Sequence, residues 1–138
     1  CGISTLIYSG DIKNDTERES ILKKFNDPKT NLRGEKYKVI LLTEAGTEGL
    51  TLKAVKGVHI VEGDKNESKV QQAIGRAIRY NSHSELPIDE RYCVVYRHFG
   101  QPISKENTKG IDELSYIRGI QNQIQKNVFI DLFKQASI

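Results

Sequence analysis

Four consecutive apolar residues, Val39 to Leu42, stop abruptly at a run of small and polar residues. An unbroken apolar run of this length, half of it β-branched, is typical of a strand buried on both faces of a parallel sheet. Small residues follow that let the backbone turn sharply and approach a ligand closely. They are Thr43, Gly46, Thr47 and Gly49. Because ligands of open α/β sheets bind at the carboxyl ends of strands, the sequence predicts a binding site directly after this strand.

Predicted strands and helices alternate along the chain. The predicted strands span 3–8, 39–42, 58–61 and 91–99. Thr16 with Glu19 is a capping-box pattern at the start of a helix that runs to about Phe25, and Ser68 with Gln71 is a second such pattern. This β-α-β-α-β order predicts a three-layer α/β fold with a mainly parallel sheet.

A polar connector and a long periodic segment make up the last part of the chain. After Gly110, apolar residues recur every three or four positions, namely Leu114, Ile117, Ile120, Ile124, Val128 and Leu132. This spacing predicts a long amphipathic helix whose apolar stripe either packs on its own domain or docks onto another lobe or subunit. We therefore divide the chain into a lobe over 1–100 and a connector with a C-terminal helix over 101–138.

The bulk properties bound the class of protein. A chain of 138 residues is long enough for one domain with a proper core. Its net charge of +3 is compatible with a polyanionic partner but does not require one. Two cysteines cannot build a disulfide framework, and a reducing compartment is expected. Without a long apolar run or a leader pattern, the sequence predicts a soluble intracellular domain that does not engage a membrane.

Long polar side chains recur on one flank of the helix predicted after 58–61. Its apolar flank is formed by Val70, Ala73, Ile74, Ala77 and Ile78. Helical periodicity places Gln72, Arg76 and Arg79 on the opposite flank, where an anchored helix would hold them as donors for a phosphate-bearing ligand. The alternative is an ordinary solvated basic face.

These two segments resemble motifs V and VI of superfamily 2 helicases and translocases in their order, in their separation and in the pattern Q-x-x-G-R-x-x-R over 72–79. The strand and glycine turn at 8–11 and the strand at 58–62 extend the resemblance outward. Residues 81–83, 92–99 and 111–113 most resemble viral members, the nucleoside triphosphatase I and early-transcription-factor helicases of poxviruses and other large cytoplasmic DNA viruses. The resemblance implies a RecA-like helicase C-terminal fold.

In that family ATP lies between two RecA-like lobes. The resemblance implies that the N-terminal lobe of the same protein supplies the phosphate-binding loop and holds Mg²⁺, while this chain holds no metal. The sequence contains neither G-x-x-x-x-G-K-[ST] nor an acidic box after a strand. We therefore expect the isolated chain to be inactive in ATP hydrolysis.

The resemblance assigns roles to the residues near ATP. Arg76 and Arg79 would approach the γ-phosphate as arginine fingers, Arg79 being the favoured finger, and Gln72 would orient the attacking water or touch the phosphate. Gly75 either lets the helix pass close to the ligand or is a packing glycine. In motif V, Gly49 would present its backbone to the nucleotide. Thr51 stands where many relatives carry Asn or Asp, which weakens a side-chain role there.

Contacts to nucleic acid are implied at the same edge of the sheet. Thr43, Gly46 and Thr47 would donate hydroxyl and amide groups to a DNA or RNA phosphate, and the turn at Gly10 would touch the same backbone. The alternatives are an ordinary strand-to-helix turn and a plain surface turn.

The leading hypothesis is the second motor lobe of a nucleic-acid-dependent ATPase in viral transcription or genome handling, in the host cytoplasm or the virion, as a candidate subunit of a transcription complex. Competing hypotheses are a non-catalytic nucleic-acid-binding scaffold and the motor lobe of a restriction or remodelling enzyme. The family's second lobe opens with a further strand and helix, so we expect a chain shortened at its N-terminus. An exposed flank of its sheet would lower solubility.

Overall fold

A computed structural model describes residues 2–43, 49–61, 66–100 and 109–136. The elements are β1 (Thr5–Tyr8), α1 (Asp15–Phe25), β2 (Val39–Leu42), β3 (Gly57–Ile60), α2 (Glu67–Ala77), β4 (Val94–Arg97) and α3 (Ile111–Ala136). The α/β class, the parallel strands and the long C-terminal helix are confirmed. In this part of the chain no helix is both long and apolar enough to cross a membrane.

The chain forms two compact units. The first comprises Cys1–Val58 and Ala73–Val94, and the second comprises His59–Gln72 and Val95–Ile138. The strands β3 and β4 and the helix α2 each have residues in both units. These bounds do not follow the predicted division at residue 100, which stays a prediction.

The first unit is built on a parallel pair of strands. β1 pairs with β2 in a register that sets Tyr8 against Leu42 and Ile7 against Leu41. On one face, Tyr8 forms a buried cluster with two residues that follow β2, Leu50 and Leu52. This cluster is covered by apolar residues of α1 and neighbouring segments, namely Ile21, Leu22, Phe25 and Val55. The core of this unit therefore lies between its sheet and α1.

The other face of this sheet is open, so the prediction that β2 is buried on both faces is wrong. Ile7 is 60% exposed and Leu41, its neighbour in register, is 53% exposed. Side chains alternate across a strand, and among the described residues α1, Leu50 and Leu52 pack on the face that carries Tyr8 and Leu42. An unbroken apolar run predicts an apolar strand, but it does not predict which other segments cover each of its two faces.

In both helices the capping residue lies two residues before the one that the capping-box pattern predicts. α1 is capped by Asn14, whose side chain accepts a hydrogen bond of 3.0 Å from the Thr16 N–H. α2 begins at Glu67, and Asn66 Oδ1 accepts from the Ser68 N–H at 3.1 Å. Asparagine is among the best N-caps because its short side chain reaches the free amides of the first turn. The predicted end of α1 at Phe25 is confirmed.

The second strand pair joins β3 and β4. Val94 N–H donates to the Lys56 carbonyl and His98 N–H donates to the Ile60 carbonyl, so both strands advance by four residues in the same direction and are parallel. β4 is shorter than the predicted strand over 91–99, because a 3₁₀ turn at Ile88–Glu90 and an irregular link precede it.

In the second unit, α3 begins close to the end of β4. Gly100 N–H donates to Asp112 Oδ2 at 2.9 Å, and the rings of Phe99 and Tyr116 lie 5.2 Å apart. Gly119 is buried. Beyond it, the predicted apolar stripe is largely exposed in the described structure, at Ile120, Ile124, Val128 and Leu132. Packing on its own unit therefore accounts only for the first part of this helix.

Candidate functional site

In the first unit, the segment that follows β2 is hydrogen-bonded to the end of α2 and to the turn after it. Leu52 N–H donates to the Arg76 carbonyl at 3.0 Å, and Ala54 N–H donates to the Ser82 carbonyl at 2.8 Å. Ala54 adopts a left-handed backbone with φ of 54°, a conformation that costs a non-glycine residue roughly 1 kcal/mol. Such strain is kept only where surrounding bonds fix it, and it is frequent at functional sites.

A side-chain bond joins the same two segments. Arg79 Nη1 donates to Thr51 Oγ1 at 2.7 Å, across 28 positions of sequence. Asn26 then holds the loop from the other side, since its Nδ2 donates to the Thr51 carbonyl and its Oδ1 accepts from the Lys53 N–H, each at 2.8 Å. Two residues predicted beside a nucleotide, Arg79 and Thr51, are thus direct neighbours.

The three predicted catalytic residues occupy different environments. α2 ends at Ala77, so the expectation that Arg79 lies on the helix with Arg76 is wrong; Arg79 begins the turn that follows. Arg76 is half-buried in the last turn of α2, and its Nε–H is buried with no hydrogen-bond acceptor among the described residues. Gln72 is exposed on the same helix. The apolar flank is buried at Val70 and Ala77.

The predicted glycines differ in what they require. Gly49 has φ of +76°, in the left-handed region that glycine adopts without strain, so the backbone conformation at this position favours glycine. A Cβ added at Gly75 would meet nothing within 4 Å. The packing alternative for Gly75 therefore finds no support in the described structure, and close approach to a ligand remains as its prediction.

The predicted nucleic-acid residues come together where they are described. Gly10 N–H donates to Thr43 Oγ1 at 3.2 Å, and the Gly10 carbonyl accepts from Arg18 Nη2 at 3.0 Å. The turn at Gly10, after β1, is therefore hydrogen-bonded to Thr43, after β2. We call Gly10 and Thr43 the pinned turn. Gly46 and Thr47 lie outside the described residues.

Sequence reasoning missed a hydrogen-bonded relay next to Arg79. Ser82, only 6% exposed, accepts from the Arg79 N–H at 3.2 Å and contacts His83 Nδ1 at 2.8 Å. His83 Nε2 lies 2.8 Å from the Val55 carbonyl. The only local signal was a polar run at 81–83, and it carries no information about distant partners.

Sequence reasoning also missed an ion pair in the second unit, at the start of α2. Arg97 binds Glu67 through two hydrogen bonds, of 2.5 and 3.0 Å, and its guanidinium lies 5.0 Å from the ring centroid of Tyr116. The Glu67 side chain is 13% exposed, and its hydrogen bonds from Arg97 lower its carboxyl pKa while the pKa of Arg97 is raised. A charged residue on the less exposed face of β4, beside Val95, was the available signal.

Each of the three histidines contacts another side chain or the backbone of the protein. His59 and His98 stack on one another with ring centroids 5.2 Å apart, and His59 also stacks on Tyr96. His83 belongs to the relay described above. Within 2–43, 49–61, 66–100 and 109–136, no three metal-binding side chains of the His, Cys, Asp and Glu types converge.

Comparison with known proteins gives this arrangement a family. Residues 2–81 match the family described as the helicase conserved C-terminal domain. The chain is 39% identical over 138 residues to nucleoside triphosphatase I of Choristoneura biennis entomopoxvirus, covering 99% of this chain and 20% of that protein. It is 40% identical over 107 residues to the protein of the same name from Amsacta moorei entomopoxvirus, covering 76% and 16%.

A relative from another virus shares the same region. The termination factor NPH-I homolog of African swine fever virus is 34% identical over 131 residues, covering 88% of this chain and 18% of that protein. The chain thus spans about a fifth of the length of the curated relatives it matches. The family match covers both of the hydrogen-bonded segments described above. It includes the strand that precedes Thr51 and the whole Q-x-x-G-R-x-x-R pattern. This chain belongs to the helicase conserved C-terminal domain family, and it is similar over nearly its whole length to nucleoside triphosphatase I of an entomopoxvirus.

Proposed function

We propose that this chain is the second motor lobe of a nucleic-acid-dependent ATPase of superfamily 2. In this proposal Arg76 and Arg79 approach the γ-phosphate of ATP held by an N-terminal lobe of the same protein, and Gln72 orients the attacking water or touches the phosphate. Gly49, Thr51 and Gly75 border the nucleotide. The names of the relatives, which are nucleoside triphosphatases and a termination factor homolog, support this class of activity.

The bond between Arg79 and Thr51 carries the proposal. It joins motif V to motif VI in one unit, at the place where both motifs were predicted to border the same ligand. Arg79 is exposed and Arg76 has a buried Nε–H without an acceptor in the described structure, so both guanidinium groups retain donors for a phosphate.

The donor set fits the phosphate of ATP and leaves Mg²⁺ to the other lobe. Arginine in place stabilises charge that develops on the transferred phosphoryl group and is worth roughly 10³ to 10⁵ in rate. Arg76 and Arg79 would act only when the lobes close, so closure would couple ATP to movement of the pinned turn at Gly10 and Thr43. The turn, with Gly46 and Thr47, would hold a DNA or RNA backbone by phosphate contacts that carry no sequence information.

The viral relatives extend the proposal to its setting. We infer a role in viral transcription or genome handling, with the protein acting in the host cell or in the virion as part of a transcription complex. The isolated chain should not hydrolyse ATP, because it contributes arginines and neither a phosphate-binding loop nor an acidic box.

The test compares nucleic-acid-stimulated ATP hydrolysis by the full-length protein, expressed from the complete reading frame that encodes this chain, with that of Arg79→Ala. We expect kcat to fall at least a hundredfold while the affinity for a nucleotide analogue changes little, because the arginine acts mainly in the transition state. Arg118→Ala, which removes an exposed arginine of α3, is the matched control and should leave kcat within about twofold.

Unchanged turnover in a folded Arg79→Ala protein would reject the motor assignment. The chain would then be a nucleic-acid-binding scaffold that keeps the helicase fold, and binding of labelled DNA and RNA would become its remaining activity. Nucleic-acid binding lost together with hydrolysis in Arg79→Ala would also contradict an arginine finger, because a finger acts on phosphate transfer and not on nucleic-acid affinity.

A further inference from the structure

We propose that His83 is a positioning residue for Arg79, acting through Ser82. This inference rests on the proposed function of Arg79 and adds to it a residue that touches neither ATP nor nucleic acid. Three consecutive hydrogen bonds connect the Arg79 backbone to the loop that carries Thr51: Arg79 to Ser82, Ser82 to His83, and His83 to Val55.

The direction of these bonds follows from the chemistry of each group. The Val55 carbonyl can only accept, so His83 Nε2 carries the proton and donates across 2.8 Å. In the neutral ring Nδ1 then accepts from the Ser82 hydroxyl, whose oxygen in turn accepts from the Arg79 N–H. Every donor and acceptor of the relay is used once, which fixes the orientation of Ser82 as well as that of His83.

Burial makes the relay rigid. Ser82 is 6% exposed, and its backbone is bonded on both sides, since its N–H donates to the Arg79 carbonyl and its carbonyl accepts from the Ala54 N–H. His83 is half-buried, and its carbonyl accepts from the Leu86 N–H. Breaking a buried relay leaves unpaired groups that cost about 1–3 kcal/mol each, so the relay resists thermal displacement.

The relay closes a ring with the bond between Arg79 and Thr51. The Arg79 side chain is held by Thr51 at one end of the loop, and its backbone is held through Ser82 and His83 by Val55 at the other end. Arg79 lies beyond the last residue of α2, so the helix itself does not fix it. A displacement of about 1 Å at a catalytic group can cost roughly a hundredfold in rate, which gives this ring its functional value.

The test is a double-mutant cycle in the full-length protein, with His83→Ala and Arg79→Ala made singly and together. We expect His83→Ala to lower kcat by about ten- to a hundredfold with KM for ATP within about threefold. In the Arg79→Ala protein, His83→Ala should cause no further loss of kcat, because the group it positions is already gone. His98→Ala, a histidine outside the relay, is the control and should leave kcat within about twofold.

Each outcome decides the proposal. Unchanged kcat in His83→Ala, with a large loss in Arg79→Ala, would overturn the positioning role and leave the arginine finger standing. An equal fold loss from His83→Ala in both backgrounds would also overturn it, since that pattern marks general damage to the fold. Unchanged kcat in Arg79→Ala would reject the proposed function itself, and with it the need for positioning.

A second variant covers the case in which His83→Ala does not fold. Ser82→Ala removes the central hydroxyl and keeps both backbone bonds of that residue. It should lower kcat at least tenfold and show the same absence of a further effect in the Arg79→Ala protein. Wild-type kcat in Ser82→Ala would overturn the proposal.

Discussion

The two ends of α2 are held by different chemistry. At its start, in the second unit, Glu67 binds Arg97 through two hydrogen bonds, and Gln71 Nε2 donates to the same carboxylate at 2.7 Å. At its end, in the first unit, a backbone bond from Leu52 to the Arg76 carbonyl holds the helix, while the Arg76 side chain keeps an unpaired Nε–H among the described groups.

This difference separates a charge pair that is satisfied within the fold from an arginine for which we propose a function. Glu67 and Arg97 satisfy each other, so their charges are neutralised within the fold and offer nothing to a ligand. The backbone of Arg76 is held by Leu52, whereas its Nε–H has no acceptor among the residues that the structure describes. An arginine with a fixed main chain and with side-chain donors that the fold does not use is suited to bind a phosphate that arrives later in a reaction cycle.

The largest effect should follow from Arg76→Ala. Removing this guanidinium deletes no hydrogen bond of its Nε within the described structure, so amide exchange in α2 should change little. Turnover of the full-length ATPase should fall by roughly two to three orders of magnitude, because a donor to the transferred phosphate is lost. The two measurements together are the steady-state kcat and the exchange rates of α2 amides.

Arg76→Lys is the matched variant for this contrast. Lysine keeps the charge but lacks the forked donors of arginine, so we expect it to recover only a minor part of the lost turnover. A fast-exchanging α2 with nearly normal kcat in Arg76→Ala would make Arg76 a structural residue like Glu67 and would remove the difference between the two ends.

The next effect concerns the start of the helix. Glu67→Gln removes the charge from a largely buried ion pair and should weaken the folded state locally by roughly 2 kcal/mol. Because 1.4 kcal/mol is a factor of ten in an equilibrium, amides near Glu67 should exchange roughly thirtyfold faster near pH 7. Turnover should stay within about threefold of the wild-type value, since the substitution removes no group that we propose to contact a ligand.

The same pair predicts a pH dependence with a definite sign. Hydrogen bonds from Arg97 hold the pKa of Glu67 below its ordinary value of 4.5, so its contribution to stability is fully present above that value. This contribution is lost as the pH falls through the lowered pKa. After correction for intrinsic exchange rates, the difference between wild type and Glu67→Gln should therefore shrink at acidic pH. A difference that grows at low pH would contradict the assignment.

The elements of this fold could be predicted, but several of their ends could not. Apolar runs, capping patterns and helical periodicity located the described strands and α-helices, because these signals are local properties of the sequence. The caps failed because several polar residues precede each helix, and the one that reaches the first free amides was Asn14 in α1 and Asn66 in α2. Local composition cannot rank such neighbours.

The site divides in the same way. The resemblance to motifs V and VI anticipated that Thr51 and Arg79 border one place, and the structure makes them neighbours. The relay from Arg79 to Val55 and the pair of Glu67 with Arg97 could not be predicted. The His83 side chain contacts the Val55 carbonyl across 28 positions of sequence, and the Glu67 and Arg97 side chains meet across 30 positions. Such contacts depend on the packing of whole segments and leave no periodic pattern.

The smallest effect, Gly75→Ala, tests the middle of the comparison. A Cβ at this position would meet nothing within 4 Å, so alanine should stabilise α2 by about 1 kcal/mol through its higher helix propensity. If Gly75 lets the helix pass close to a nucleotide, the same methyl group should lower kcat or raise KM for ATP. Ala73→Gly, two residues earlier, should destabilise α2 by a similar amount. A destabilised α2 in Gly75→Ala would restore the packing alternative, whereas stabilisation with wild-type kinetics would leave Gly75 without a role at the ligand.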